Sequence, residues 1–232
     1  MSEYKPPSVI VFDVNETLLD ITSLEPLFER LFGRPEVLRE WFAELILYSQ
    51  TMTLSGHYTP FGELAGGVLR MVGGNKEVRI CDSDIAELKS LIGSMPAYDD
   101  VAPALGKLRD AGFTLVTLTN SAPTASPTPL ERAGIAQFFS RSFSVAEVGA
   151  FKPHPATYEL VASEMKVEAG ELCMVACHLW DTIGAQSAGW RGAFIARPNN
   201  NVLMAEGVPR PDYASDNLIE LADLIMARNL RS

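Results

Sequence analysis

The sequence predicts an α/β protein, a doubly wound parallel sheet with a helical segment inserted into it. Three observations carry that expectation. Short apolar runs, of the kind shown by strands buried on both faces, recur at 8–12, 113–118, 172–176 and 192–196. Helically spaced stretches separate the later runs, which calls for crossover connections and hence parallel pairing. Residues 21–96, directly after the first run, carry helical patterns and no strand pattern.

Composition sets the outer bounds. With 232 residues the chain can hold one large domain, or a core plus an insertion. Its 47% hydrophobic and 21% charged residues suffice for a full core, which excludes disorder. A net charge of −10, a pI of about 4.8 and the lack of any basic cluster make nucleic acid and anionic membrane poor partners. No apolar stretch approaches the roughly 18–20 residues that span a bilayer. Met1-Ser2-Glu3-Tyr4-Lys5-Pro6-Pro7 lacks the apolar core of a signal peptide, so the cytoplasm is the expected compartment. Cys81, Cys173 and Cys177 form neither a metal spacing nor an even disulfide set.

The elements follow in order. The first strand ends at Phe12. Thr22 with Glu25 reads as a capping box opening a helix that Gly33 stops. Pro35 suits the first turn of a second helix, along which Trp41, Phe42, Leu45 and Tyr48 recur at helical spacing and are expected to pack inside the helical segment. A third helix starts at Thr59-Pro60 and ends at Gly73-Gly74, and a fourth covers 84–92. Beyond residue 97 helices at 100–110, about 130–132, 155–165 and 217–228 alternate with strands, a short one holding Phe143 and Val145. The run 122–129, rich in Pro, Ser and Thr, reads as a surface loop. The α/β core is therefore assigned to 1–20 and 97–232 and a cap to 21–96, with a cleft between them.

Polar clusters stand at the ends of the predicted strands: Asp13 through Thr17, Thr119-Asn120-Ser121, Lys152, and His178 through Asp181. In a parallel sheet all carboxyl ends open on one edge, where open α/β sheets bind ligands. An Asp directly after Val-Ile-Val-Phe is costly to bury unless partnered, so Asp13 is a candidate reactive carboxylate rather than a turn cap.

This ordered set resembles the haloacid dehalogenase superfamily, and within it the type II 2-haloacid dehalogenases. Phe12-Asp13 with Thr17-Leu18 is similar to their nucleophile loop, Lys152-Pro153 with Tyr158 to their Lys…Tyr pair, and Trp180-Asp181 with Gly184-Ala185 to their Trp-Asp…Gly-Ala segment. The resemblance implies a Rossmann-like core with a helical cap, a homodimer, no cofactor and no metal. It also implies hydrolysis of a small 2-haloacid to a 2-hydroxy acid through an ester on Asp13. Asp13, Lys152, Asp181 and Thr17 would be the catalytic set. Asn15, Thr119, Asn120, Phe42, Tyr158, His178 and Trp180 would meet the substrate.

Two other readings compete. A magnesium phosphatase of the superfamily carries an Asp where Asn15 stands and a metal-binding carboxylate where Cys177 stands, so both required groups are missing. A non-catalytic relative that binds a small acid or a partner is the third reading. It draws support from three departures from the dehalogenase pattern: Phe42 in place of a halide-receiving Arg, His178 in place of Asn, and Ala176 in place of Ser. His178 is also a candidate donor to a departing fluoride. Plainer roles weigh against several of these: Asp181 as the cap of a helix beginning at Thr182, Tyr158 as a packed aromatic, Cys177 as a buried small hydrophobe, and His57 and His154 as surface residues.

Overall fold

Six strands form one sheet in the computed structural model, which describes residues 7–229 (for Asn229 the backbone only). The N-terminal residues 1–6, most of the stretch compared above with a signal peptide, lie outside the described residues. The strands are β1 Val9–Phe12, β2 Thr114–Thr119, β3 Arg141–Ser144, β4 Leu172–Ala176, β5 Arg191–Ile195 and β6 Tyr213–Ser215, in the order β3-β2-β1-β4-β5-β6. All pairings are parallel. β1 and β4 are buried throughout because both faces are covered, which is why their sequences are apolar without alternation. The chain winds from β1 to β3 on one side and then crosses to β4 on the other. β1 and β4 therefore flank the switch point where such sheets open a crevice.

The helices are α1 Glu25–Phe32, α2 Val37–Leu54, α3 Phe61–Asn75, α4 Asp82–Ile92, α5 Val101–Asp110, α6 Pro129–Arg132, α7 Pro155–Met165, α8 Leu179–Ser187 and α9 Leu218–Asn229. Segment 21–96 holds α1 to α4 and no strand. Its two ends are stitched side by side: Leu19 and Ala97 form an antiparallel bridge, Asp20 N–H donates to Pro96 O (2.8 Å), and Tyr98 N–H donates to Leu18 O (3.1 Å).

Several boundaries differ from the sequence reading. The first helix begins at Glu25 rather than Thr22, since Pro26 is tolerated only in a first turn. Asp20 instead caps a 3₁₀ turn at Ile21–Leu24, accepting from Thr22 N–H (2.9 Å). Gly33, at φ 66°, does end α1. Val145 leaves the sheet into a 3₁₀ turn capped by Ser144 and Glu147. β6 was not anticipated, because three residues are too few for a periodic signal. Trp41, Phe42 and Leu45 are buried as expected, and Trp41 gives its indole N–H to Ala65 O (3.0 Å). Tyr48 is not core: it is 38% exposed, on the outward side of α2 with Leu47 and Leu54. No helix among the described residues is long and apolar enough to cross a membrane.

Candidate active site

The register of the sheet sets the site. Phe12 pairs with Thr117 on one side and Val175 on the other, so Asp13, the residue directly after β1, emerges level with the ends of β2 and β4. Its amide holds Val175 O (3.0 Å). Its carboxylate is almost wholly buried yet fully partnered. Thr17, one turn along the loop, gives its hydroxyl hydrogen to Asp13 Oδ2 (2.7 Å) while its own oxygen accepts Cys177 N–H (3.0 Å).

On one flank stands Lys152, fully buried between β3 and α7. Its ammonium donates to Asp13 Oδ1 (2.9 Å), Asp181 Oδ2 (2.5 Å) and Leu118 O (2.9 Å), which uses its three hydrogens. Tyr158 OH donates to Asp181 Oδ1 (2.7 Å). The ring of Tyr158 is sealed behind Asp181, so Tyr158 does not face substrate as expected but orients Asp181. Asp181 does not cap a helix either: α8 starts at Leu179 with His178 at its N-cap, and Asp181 points from the first turn at Lys152. Gly184, one turn further on α8, has to be glycine, because a Cβ there would lie 2.4 Å from Tyr158 OH and 2.5 Å from Pro153 Cβ.

On the other flank stands His178, also buried. Its Nδ1 lies 3.1 Å from Asp13 Oδ2 and its Nε2 lies 2.8 Å from Glu16 Oε2. Glu16 in turn bonds Arg39 of α2 and Asn200 Nδ2 (2.9 Å), the latter from the loop after β5. The His178 ring stacks on Trp180 (centroids 5.0 Å, planes 12° apart) and faces Phe42 at 5.5 Å. Both ring nitrogens are engaged, so neither is free for a departing fluoride in this arrangement.

The charges explain how so many ionisable groups lie buried. Three carboxylates (Asp13, Asp181, Glu16) interleave with three cations (Lys152, His178, Arg39). Burial alone would raise Asp13, but the Lys152 ammonium and then His178 hold it well below the usual carboxylate range. Burial lifts Asp181, aided by the neighbouring charge of Asp13. Burial opposes the charges of Lys152 and His178, yet the surrounding carboxylates, and for His178 the Cys177 sulfur as well, raise both.

A cavity of about 450 Å³ opens beside the loop that follows β1, mostly apolar, with Asn15, Thr119, Phe61, Leu130 and Phe143 in its wall. Asn15 donates to Ser121 Oγ (3.2 Å), and Thr119 Oγ1 accepts Ser121 N–H (3.1 Å). Asn120 is turned away from the cavity, its Oδ1 accepting Lys152 N–H (3.1 Å). His57 and His154 are exposed as expected, and His154 caps α7. Four residues escaped the sequence reading: Glu16, Arg39, Asn200 and Arg197. Arg197 clamps the loop by donating to Thr17 O (3.0 Å) and gripping Asp100 through two bonds of 2.9 and 2.8 Å. It follows the fifth strand end, so extending the strand-end argument by one strand would have found it.

Among the described residues, Asp13, Cys177 and His178 gather ligand atoms within 4.8 Å. They do not suit a hard divalent cation. Cys177 offers a soft sulfur whose thiol burial pushes up, and the Lys152 ammonium already occupies the other oxygen of Asp13.

Comparison with known proteins agrees. A family model for haloacid dehalogenase-like hydrolases matches residues 7–189. An (S)-2-haloacid dehalogenase 2 of Pseudomonas sp. (strain CBS-3) is 30% identical over 219 residues, covering 93% of this chain and 94% of that protein. The (S)-2-haloacid dehalogenase of Xanthobacter autotrophicus is 29% identical over 199 residues, 85% of this chain and 78% of that one. A solved L-2-haloacid dehalogenase from Xanthobacter autotrophicus with chloropropionic acid covalently bound superposes with a TM-score of 0.85 at 25% identity, over 94% of this chain and 98% of that one. With the family match, the full-length relatives and the six-stranded parallel core in accord, this chain belongs to the haloacid dehalogenase-like hydrolases.

Proposed function

We propose that the protein is a metal-independent hydrolase that displaces halide from a small 2-haloacid and releases the 2-hydroxy acid, with Asp13 as nucleophile. The observation that supports this most is the Lys152 ammonium 2.9 Å from Asp13 Oδ1, a cation built into the chain that keeps the carboxylate ionised and aimed. Asn15 cannot protonate a leaving alkoxide, which argues against phosphoryl transfer. The relatives named as 2-haloacid dehalogenases support the substrate class.

In this reading an oxygen of Asp13 attacks the carbon that bears the halogen, and the carbon–halogen pair leaves with halide. Water then hydrolyses the aspartyl ester. Asp181 orients Lys152 and the water, and Tyr158 orients Asp181. Thr119 and Asn15 border the substrate carboxylate, Asn120 steadies the Lys152 amide behind them, and Phe42 and Trp180 wall the reacting carbon. Segment 21–96 acts as the cap over residues 1–20 and 97–232. The exposed Leu47, Tyr48 and Leu54 on α2 support a homodimer, and light scattering after gel filtration tests it. The cytoplasm remains the expected compartment.

The test is halide release from chloroacetate, fluoroacetate and L-2-chloropropionate in EDTA. The expected result is turnover by the wild type and a fall of at least about 10⁴-fold for Asp13→Asn. No halide from the wild type, or magnesium-dependent cleavage of p-nitrophenyl phosphate in its place, would overturn the reading.

A further inference from the structure

The two oxygens of Asp13 are not equivalent. Oδ2 accepts from Thr17 Oγ1 (2.7 Å) and faces His178 Nδ1 (3.1 Å), whereas among the described residues Oδ1 accepts only from Lys152 Nζ (2.9 Å). A carboxylate oxygen presents two acceptor positions. Both positions of Oδ2 are taken, so Oδ1 is the oxygen with a lone pair left for carbon. Once it has reacted, Oδ1 is the ester oxygen and Oδ2 the carbonyl oxygen.

We propose that His178 and Thr17 form the oxyanion-binding pair for the second half of the reaction, hydrolysis of the Asp13 ester, and that Glu16 is the positioning residue that holds the imidazole in place. The inference rests on the dehalogenase reading above. In this step the water oxygen bonds to Cγ of Asp13 and the carbonyl π pair moves onto Oδ2. The pair returns as the Cγ–Oδ1 bond breaks. Oδ1 leaves with the substrate carbon as its hydroxyl, taking one of the water's protons. The other proton leaves the regenerated carboxyl for solvent. Between the two events the negative charge sits on Oδ2, the oxygen that His178 and Thr17 already face.

Both donors are set before the charge develops, which is where such groups are most effective. Thr17 Oγ1 is fixed by accepting Cys177 N–H (3.0 Å), which aims its hydrogen at Oδ2. The His178 ring is held by Glu16 at Nε2, by Trp180 on one side and by Phe42 on another. With a carboxylate at each ring nitrogen the imidazole carries both protons, and the upward shift of its pKa agrees. Glu16 itself sits at φ 66°, a left-handed conformation unfavourable for a residue with a side chain. Its contacts to His178, Arg39 and Asn200 hold it there.

Rapid-quench single turnovers with L-2-chloropropionate test this, following halide, hydroxy acid and the mass of the Asp13 peptide. His178→Ala is expected to slow hydroxy-acid formation by about 10²-fold or more, while the halide burst falls far less and esterified Asp13 accumulates. His178→Asn, which restores a neutral donor, is expected to recover part of the hydrolysis. Glu16→Gln is expected to move the alkaline limb of ester breakdown to lower pH, which a purely structural role would not do. The groups facing His178 are Asp13, Glu16 and Cys177, with Arg39, Lys152 and Asp181 one contact further, and only Glu16 is altered in that variant. If the histidine variants do not fold, the wild type still decides, since its ester breakdown must decline with rising pH before its halide burst does. Equal loss of halide and hydroxy acid with no accumulated ester, or a wild-type limb common to both steps, would overturn the proposal alone. No halide from the wild type would overturn the dehalogenase reading and this inference with it.

Discussion

The two flanks of Asp13 are built on opposite plans. On the Lys152 side every partner comes from the α/β core and is fully sealed: Lys152, Asp181 and Tyr158 are each 0% exposed. On the His178 side the chain of contacts runs outward, through Glu16 to Arg39 on α2 and Asn200 beyond β5, and Arg39 is 27% exposed at its side chain. The first flank is a closed charge balance fixed by the sheet. The second is completed only when a helix of segment 21–96 is docked against it. Asp13 is thus kept ionised from the side of the sheet and steadied from the side of segment 21–96.

Variants can break or sharpen that contrast. The largest effect is expected from Lys152→Met, which leaves two carboxylates buried without their cation. It should cost about 3–5 kcal/mol of stability and remove halide release, as read by urea unfolding and a halide assay. Tyr158→Phe strips one hydrogen bond from the buried Asp181 carboxylate and should cost about 1–3 kcal/mol, with kcat reduced and KM little changed. Arg39→Gln, on a part-exposed pair, should cost no more than about 1 kcal/mol. Its effect should fall on ester hydrolysis rather than on the halide burst. An Arg39 variant as destabilising as Lys152→Met would erase the distinction.

A pH series separates the flanks without mutation. His178 is raised above its ordinary value, so its contribution to stability is fully present below about pH 6.5 and is lost as pH rises through its folded value. Lys152 is raised above 10.5 and keeps its charge to higher pH. A fall in melting temperature that begins below pH 10.5 as the solution is made alkaline therefore belongs to the His178 side, and His178→Asn should flatten it.

Much of this was legible in the residues. Apolar runs stopping at Asp13, Thr119 and His178 located strand ends, and parallel pairing gathers strand ends on one edge whatever the loops do. Lys152 and Asp181 were found because each stands in a short, ordered pattern. Glu16 and Arg39 were not. A glutamate in a loop and an arginine on an amphipathic helix look like solvated surface, and only the docking of α2 reveals that they meet. The direction of a side chain was equally hidden. Tyr158 and Asn120 lie where expected along the chain but turn toward Asp181 and the Lys152 amide rather than the cavity.

The antiparallel stitch of Leu18, Leu19 and Asp20 with 96–98 bears on how such a molecule diversifies. Because the chain departs and re-enters at neighbouring points, the helices between them could be exchanged without re-threading the sheet. In the cap reading proposed above, substrate range would then change with this segment, each replacement needing its own counterpart to Arg39, while Asp13, Lys152 and their sheet stay put.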